Sequence, residues 1–290
     1  MENTERESYF LYLLGKIISL SLPRSLAYAV AKFFALLHYR SSTWDREILR
    51  YNLSPIVKDK GKIEQYIREV FINFAYYLVD FFRHSKINKK FIKKYVKVVG
   101  REHLDKAFAK EKGVIILSSH LGNYELGGAI IAQLGYPLYV VALAHKDPRI
   151  NNLFDSQRRV AGVNVIATGR TIRRCFSHLK KGTAVAFLGD RDFSSGTTLP
   201  VDMFDQQAGV PRGAAFFALQ TGAIVVPTFS VRENKTHYCL YFEEPIEVNK
   251  EDKNAESLIM QKYAAILEKY LEKYPQQWYM FEKYWNNIKQ

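Results

Sequence analysis

Cysteine is scarce in this chain: Cys175 and Cys239 are the only two, far apart in sequence and in no metal-ligand spacing. That excludes a disulfide framework and a zinc module, and it suits a reducing compartment with two buried structural thiols. Acidic residues are also few, 29 against 42 Lys and Arg, which leaves a net charge of +13. Such a surplus favours an anionic partner, whether nucleic acid, an anionic bilayer or an acidic protein. No zinc-finger spacing, RNP-like aromatic motif or basic-region heptad accompanies the charge, so nucleic acid is not an expected partner. Uninterrupted apolar runs of the roughly 18–20 residues that span a bilayer are missing. A secretory signal is not expected either, because the chain opens with the acidic, polar MENTERES and shows no small-residue cleavage site. The G-x-S-x-G elbow of serine hydrolases is absent, as are repeats, low-complexity tracts and linkers.

What is present begins with two apolar stretches, YFLYLLGKIISLSL (9–22) and LAYAVAKFFALLHY (26–39), broken by Lys16 and Pro23. They read as a helical hairpin lying at a membrane interface, or as a pair of core helices, with a tilted single anchor near 9–30 as the remaining option. We therefore divide the chain into a membrane-associating helical segment, 1–42, and an α/β domain, 43–290. Residues 43–110 read as helical, with a long aromatic-rich helix over 64–84 and a basic stretch over 87–106. From 113 onward short β-branched runs alternate with helical segments: strands at 113–120, 137–144, 163–168, 183–190, 224–232 and 237–248, and helices at 124–135, 148–162, 171–182, 213–223 and 254–274. That alternation predicts a mixed, mainly parallel sheet flanked by helices. The last two strands, joined by RENKTH, are expected to form an antiparallel hairpin.

Sites in open α/β sheets gather at the carboxyl ends of strands. Two such ends carry ionisable groups: SSHLGNYE, with His120 and Glu125, and GDRDFSSG, with Asp190, Arg191 and Asp192. Histidine titrates near neutrality and is the natural base for a hydroxyl. Acyl transfer needs such a base, a carboxylate to orient it, and donors for the oxyanion. Glu125 is the orienter by sequence proximity. On a continuous helix, however, five residues set two side chains about 140° apart, so Asp190 is a rival for the role.

The longer context sharpens this. HLGNYE resembles the His-x4-acid motif of glycerolipid-type acyltransferases, and more closely the H-x-G-N-[WY]-E form of the bacterial lipid A biosynthesis (lauroyl/myristoyl) acyltransferase family, which includes the phosphatidylinositol mannoside acyltransferases. Further resemblances follow in order: QRRVAGVNVI (157–166), LKKGTAVAFLGDRDF (179–193), VPRGAAFFALQTGAIVVP (210–227) and PQQWYMFEKYW (275–285). The resemblance implies a glycerolipid-acyltransferase-like fold and transfer of a fatty acyl group from a thioester to a hydroxyl of a lipid or glycolipid acceptor. It implies that His120 is the catalytic base, with Glu125 as motif acid, Asp190 as an acid that pairs with the histidine, and Asn123 in support. Arg158, Arg159, Arg191 and Asp192 are implied to contact substrate. No metal or redox cofactor is implied; an acyl carrier protein or coenzyme A thioester serves as co-substrate. The implied setting is the cytoplasmic face of a bacterial inner membrane, held peripherally or by one N-terminal anchor. The chain departs from the family's F-F-G with Met203-Phe204-Asp205, and carries Met280 at the second C-terminal tryptophan position.

Overall fold

The computed structural model describes residues 2–191, 198–249 and 251–288, without the side chains of 2–8, 170 and 171. The N-terminal third is helical: α1 (Glu2–Ser21), α2 (Arg24–Ser41), α3 (Thr43–Leu53), α4 (Ile63–Phe82) and α5 (Lys89–Tyr95). Then come β1 (Val96–Val99), α6 (Arg101–Ala109), β2 (Val114–Ser118), α7 (Tyr124–Gln133), β3 (Leu138–Ala142), α8 (Pro148–Val160), β4 (Asn164–Ala167), α9 (Arg174–Lys180) and β5 (Ala184–Leu188). A hairpin, β6 (Thr198–Met203) and β7 (Gln206–Pro211), precedes α10 (Gly213–Thr221), β8 (Ile224–Arg232), β9 (Tyr238–Phe242) and α11 (Ala255–Lys273).

Seven strands form one sheet in the order β1-β9-β8-β2-β5-β3-β4. Every pairing is parallel except the β8–β9 hairpin, as the sequence predicts. β2 is buried along its whole length and carries no polar residue before Ser118, as a strand covered on both faces requires. Its alternate side chains serve two cores. Ile115 and Leu117 join α10, α11 and α4 on one face, while Val114 and Ile116 join α6 and α7 on the other. Apolar burial of this kind is the main stabilising contribution to the fold.

Two features differ from the sequence reading. The basic stretch 87–106 is not one helix but α5, β1 and α6. Val96, Val98 and Val99 favour the extended chain, and β9 supplies a parallel partner for them that no local pattern reveals. The β6–β7 hairpin is a second, two-stranded sheet. Its turn holds Phe204 at φ 50° and Asp205 at φ 55°, the left-handed pair of a tight hairpin turn that glycine enters most easily. The departure Met203-Phe204-Asp205 therefore falls on this turn, and Met203 is buried under it.

α1 and α2 pack on α4. Among the described residues no helix is long and apolar enough to cross a membrane. Outward from these helices stand exposed Phe10, Leu11, Leu14 and Ile17 of α1, and Leu26, Phe33, Phe34 and Leu37 of α2.

Candidate active site

His120 lies two residues past the end of β2, in the loop that enters α7, so it is not carried on the helix that bears Glu125. Three elements fix that loop. Asn123 caps α7 by accepting the Leu126 amide on Oδ1 at 3.0 Å, and its own amide donates to the Ser230 carbonyl at 2.6 Å. Gly122 sits at φ 67°, where an added Cβ would come within 2.1 Å of the Ser230 carbonyl oxygen; only glycine lets the loop close this tightly on β8. From the C-terminal segment, the Gln277 carbonyl accepts the Gly122 amide at 2.8 Å, and the Tyr279 amide donates to the His120 carbonyl at 2.9 Å.

Asp190 arrives from the end of β5, the strand beside β2. Gly189 makes the approach possible. A Cβ there would meet Leu117 Cδ1 at 2.8 Å and Tyr263 Cε1 at 2.9 Å. Asp190 Oδ1 lies 2.8 Å from His120 Nδ1. Its Oδ2 accepts the His120 backbone amide at 2.9 Å and the Trp278 indole N–H at 3.1 Å. Burial raises the Asp190 carboxyl's pKa, but the histidine ring, the amide and the indole outweigh it and hold the group below its usual range. A carboxylate only accepts, so Nδ1 carries the proton and Nε2 is the basic nitrogen of the ring.

Glu125 does not share this arrangement. It faces Arg158 of α8, with Oε1 2.6 Å from Nη2 and both carboxylate oxygens 3.1–3.2 Å from Nε. Both side chains are about one-tenth exposed. Burial raises the Glu125 pKa and Arg158 overrides it, so the carboxyl stays ionised below its usual range. Asp155 adds a second carboxylate to Arg158 at 3.2 Å.

His120, Tyr124, Glu125, Arg158 and Arg191 line one cavity of about 1180 Å³. Tyr124, Gly127, Gly128 and Ile131 give it the i, i+3, i+4, i+7 face of α7. Beneath that face the cavity runs over Ile116, Leu138, Val140, Ala186 and Leu240 of the sheet. Two glycines and an alanine at the interface leave the space that larger side chains would fill. The sequence-predicted residues thus divide. Asn123 is buried as a helix cap rather than lining the cavity, Arg159 is exposed on α8, Arg191 joins the wall and pairs with Glu282, and Asp192 lies outside the described residues.

Residues 2–287 match the model of the bacterial lipid A biosynthesis acyltransferases. The chain belongs to this family. It is 26% identical over 166 residues to a lipid A biosynthesis acyltransferase of Haemophilus influenzae, which covers 57% of this chain and 52% of that one. A phosphatidylinositol mannoside acyltransferase of Mycolicibacterium smegmatis is 24% identical over 280 residues, 94% of this chain and 90% of its own. Its Mycobacterium tuberculosis namesake is 28% identical over 162 residues, 54% and 51% of the two chains. The alignments thus span about half the length of two of these relatives and nearly all of the third.

This member of the lipid A acyltransferase family has site neighbours that sequence reasoning missed. Trp278, legible as a tryptophan of the PQQWYMFEKYW motif but not as a partner of the site, is fully buried and holds Asp190. Tyr124 meets the His120 ring edge-on at 5.3 Å and receives the Tyr77 hydroxyl proton at 2.9 Å. His84, on the turn after α4, is 1% exposed beside Phe81, and among the described residues neither ring nitrogen has a hydrogen-bond partner of normal geometry. Burial is the chief cause that lowers its pKa to about 4. Unfolding restores a pKa near 6.5, so the unfolded chain binds the extra proton between about pH 6.5 and 4. Stability is therefore full above that window and falls as the pH drops through it. We expect His84→Phe to remove about 2 kcal/mol of the stability difference between pH 7 and pH 5. Urea unfolding of both proteins at the two pH values checks this; parallel losses in wild type and variant would refute it.

Proposed function

We propose that the protein moves a fatty acyl group from a thioester, on acyl carrier protein or coenzyme A, to a hydroxyl of a glycolipid at a membrane surface. The observation that carries the reading is the His120–Asp190 pair, 2.8 Å apart, opening onto a cavity with an apolar floor. His120 Nε2 takes the acceptor's hydroxyl proton as that oxygen attacks the thioester carbonyl. The tetrahedral intermediate collapses, the C–S bond breaks, and the protonated ring returns its proton to the leaving thiolate. The amides of Gly122, Asn123 and Leu126 are already committed to Gln277, Ser230 and the Asn123 side chain. Among the described residues, the free first-turn amides of α7, at Tyr124 and Glu125, and the Arg191 side chain on the cavity wall are the donors we assign to the oxyanion. Arg158, held by Glu125, presents a fixed charge to the acceptor, and the exposed apolar residues of α1 and α2 rest in the bilayer interface. The family and the names of the relatives support transfer to a glycolipid such as a lipid A precursor or a phosphatidylinositol mannoside.

The test is incubation of the purified protein with radiolabelled acyl thioester and a total lipid extract, followed by mass spectrometry of any product. Label that never moves to lipid from either donor would refute the proposal. The floor of the cavity also sets a length limit. A Cβ on Gly128 would stand 3.6 Å from Leu138 Cδ2, so alanine fits and leucine projects into the cavity. Gly128→Leu is expected to shift the preferred acyl chain to a shorter one, by roughly 15- to 60-fold in kcat/KM ratio, since two or three CH2 groups lose burial worth ~0.8 kcal/mol each. An unchanged preference over a series of acyl donors would place the chain elsewhere.

A further inference from the structure

A second, smaller niche of about 140 Å³ lies apart from the acyl-transfer cavity, lined by Arg24, Asp80, Arg83, Lys86, Ile87, Phe91, Tyr95 and Leu126. Its charges do not balance. Asp80 is its one carboxylate, and that group is shared between Arg24 at 3.2 Å and Arg232 at 2.7 Å, with the hydroxyls of Tyr28 and Tyr238 also donating to it. Arg83 spends one nitrogen on the carbonyls of Ser19 and Leu22. Neither Arg83 nor the exposed Lys86 pairs with a carboxylate among the described residues. Arg24 is fixed by the rings of Tyr28, Phe91, Tyr95 and Tyr238, each 5.2–5.5 Å from its guanidinium carbon. Its nitrogens also donate to Tyr28, Tyr238 and the Thr236 carbonyl, so Arg83 and Lys86 are the cations left to meet an anion, in a space with room for a tetrahedral one.

We propose that this niche binds a phosphate group, supplied by the headgroup of an anionic phospholipid. The source is argued from position. The niche sits where Leu22 and Pro23 join α1 to α2, and exposed Ile17 and Leu26 flank that joint. Side chains placed at a bilayer surface bring the joint to headgroup depth, where a polybasic site gains from anionic lipid. This choice of source rests on the interfacial reading above; the phosphate chemistry does not.

The test uses the full chain without acyl donor or acceptor, so it is independent of whether His120 transfers acyl groups. Dihexanoyl phosphatidylglycerol, dihexanoyl phosphatidylcholine and inorganic phosphate are titrated by calorimetry at constant ionic strength. Phosphatidylglycerol is expected to bind at least tenfold more tightly than phosphatidylcholine. Lys86→Gln should weaken it about tenfold by removing one charge-assisted bond, with Lys86→Arg restoring most of the loss. Lys269→Gln on α11 removes an equal charge outside the niche and should change nothing. Inorganic phosphate binding as well as the lipid, with the same dependence on Lys86, would keep the phosphate site and overturn the lipid source. Binding of every probe that is indifferent to Lys86, or no binding at all, overturns the proposal.

Discussion

Asp190→Asn is expected to lower kcat by about 10³–10⁴-fold while leaving the fold intact, and His120→Ala to lower it at least as far. The geometry gives the reason. In the asparagine variant the amide oxygen takes the Oδ2 position, where the His120 backbone amide and the Trp278 indole need an acceptor. The amide nitrogen is then left at the Oδ1 position, 2.8 Å from Nδ1. An N–H there donates to Nδ1 and fixes the opposite tautomer, with the proton on Nε2, so the ring can no longer accept one from a hydroxyl. The buried site remains hydrogen-bonded, which is why the loss belongs to kcat rather than to stability. Glu125→Gln supplies the contrast: Glu125 touches Arg158 and not the His120 ring, so its kcat should fall far less. Single-turnover rates for the three variants, beside their thermal melts, decide the matter. A Glu125→Gln loss larger than that of Asp190→Asn would reverse the assignment.

Much of this arrangement is legible in the sequence. β-branched runs punctuated by glycine mark where the parallel strands fall along the chain, because a buried strand must be apolar over its whole length. The same runs put His120 and Asp190 at strand ends, and the helical angle argued against Glu125 as the partner. Adjacency of β2 and β5 was not legible, since register between distant strands leaves no local trace. β1 was hidden for a related reason: its four residues sit among lysines and are extended only because β9 pairs with them. The Asp80–Arg232 contact joins residues that carry no shared pattern, and only the folded chain reveals it. Trp278 was visible as part of a motif, but its bond to Asp190 depends on the C-terminal segment lying across the His120 loop.

Arg158→Ala is expected to destabilise the protein by about 3–5 kcal/mol, a larger loss than removal of either exposed partner in a surface ion pair. Glu125 is about nine-tenths buried, and Arg158 is the chief group that offsets the cost of that burial and holds its carboxyl below the usual range. Without the guanidinium the carboxylate must take up a proton or admit water, and Tyr77, Tyr124 and His84 around it offer no compensating charge at neutral pH. Replacing both partners, as in Glu125→Gln with Arg158→Met, removes the charge along with its counter-charge and should recover most of the loss. Wild type, Glu125→Gln, Arg158→Met and the double variant form a double-mutant cycle, read beside Arg158→Ala by urea unfolding at pH 7. A single Arg158→Ala loss below 1 kcal/mol would mean that solvent already reaches the pair. Transfer activity separates stability from function in the same set. A refolded, near-native double variant that binds acceptor weakly while kcat survives would locate the work of Arg158 in holding the acceptor, and that of His120 and Asp190 in moving the proton.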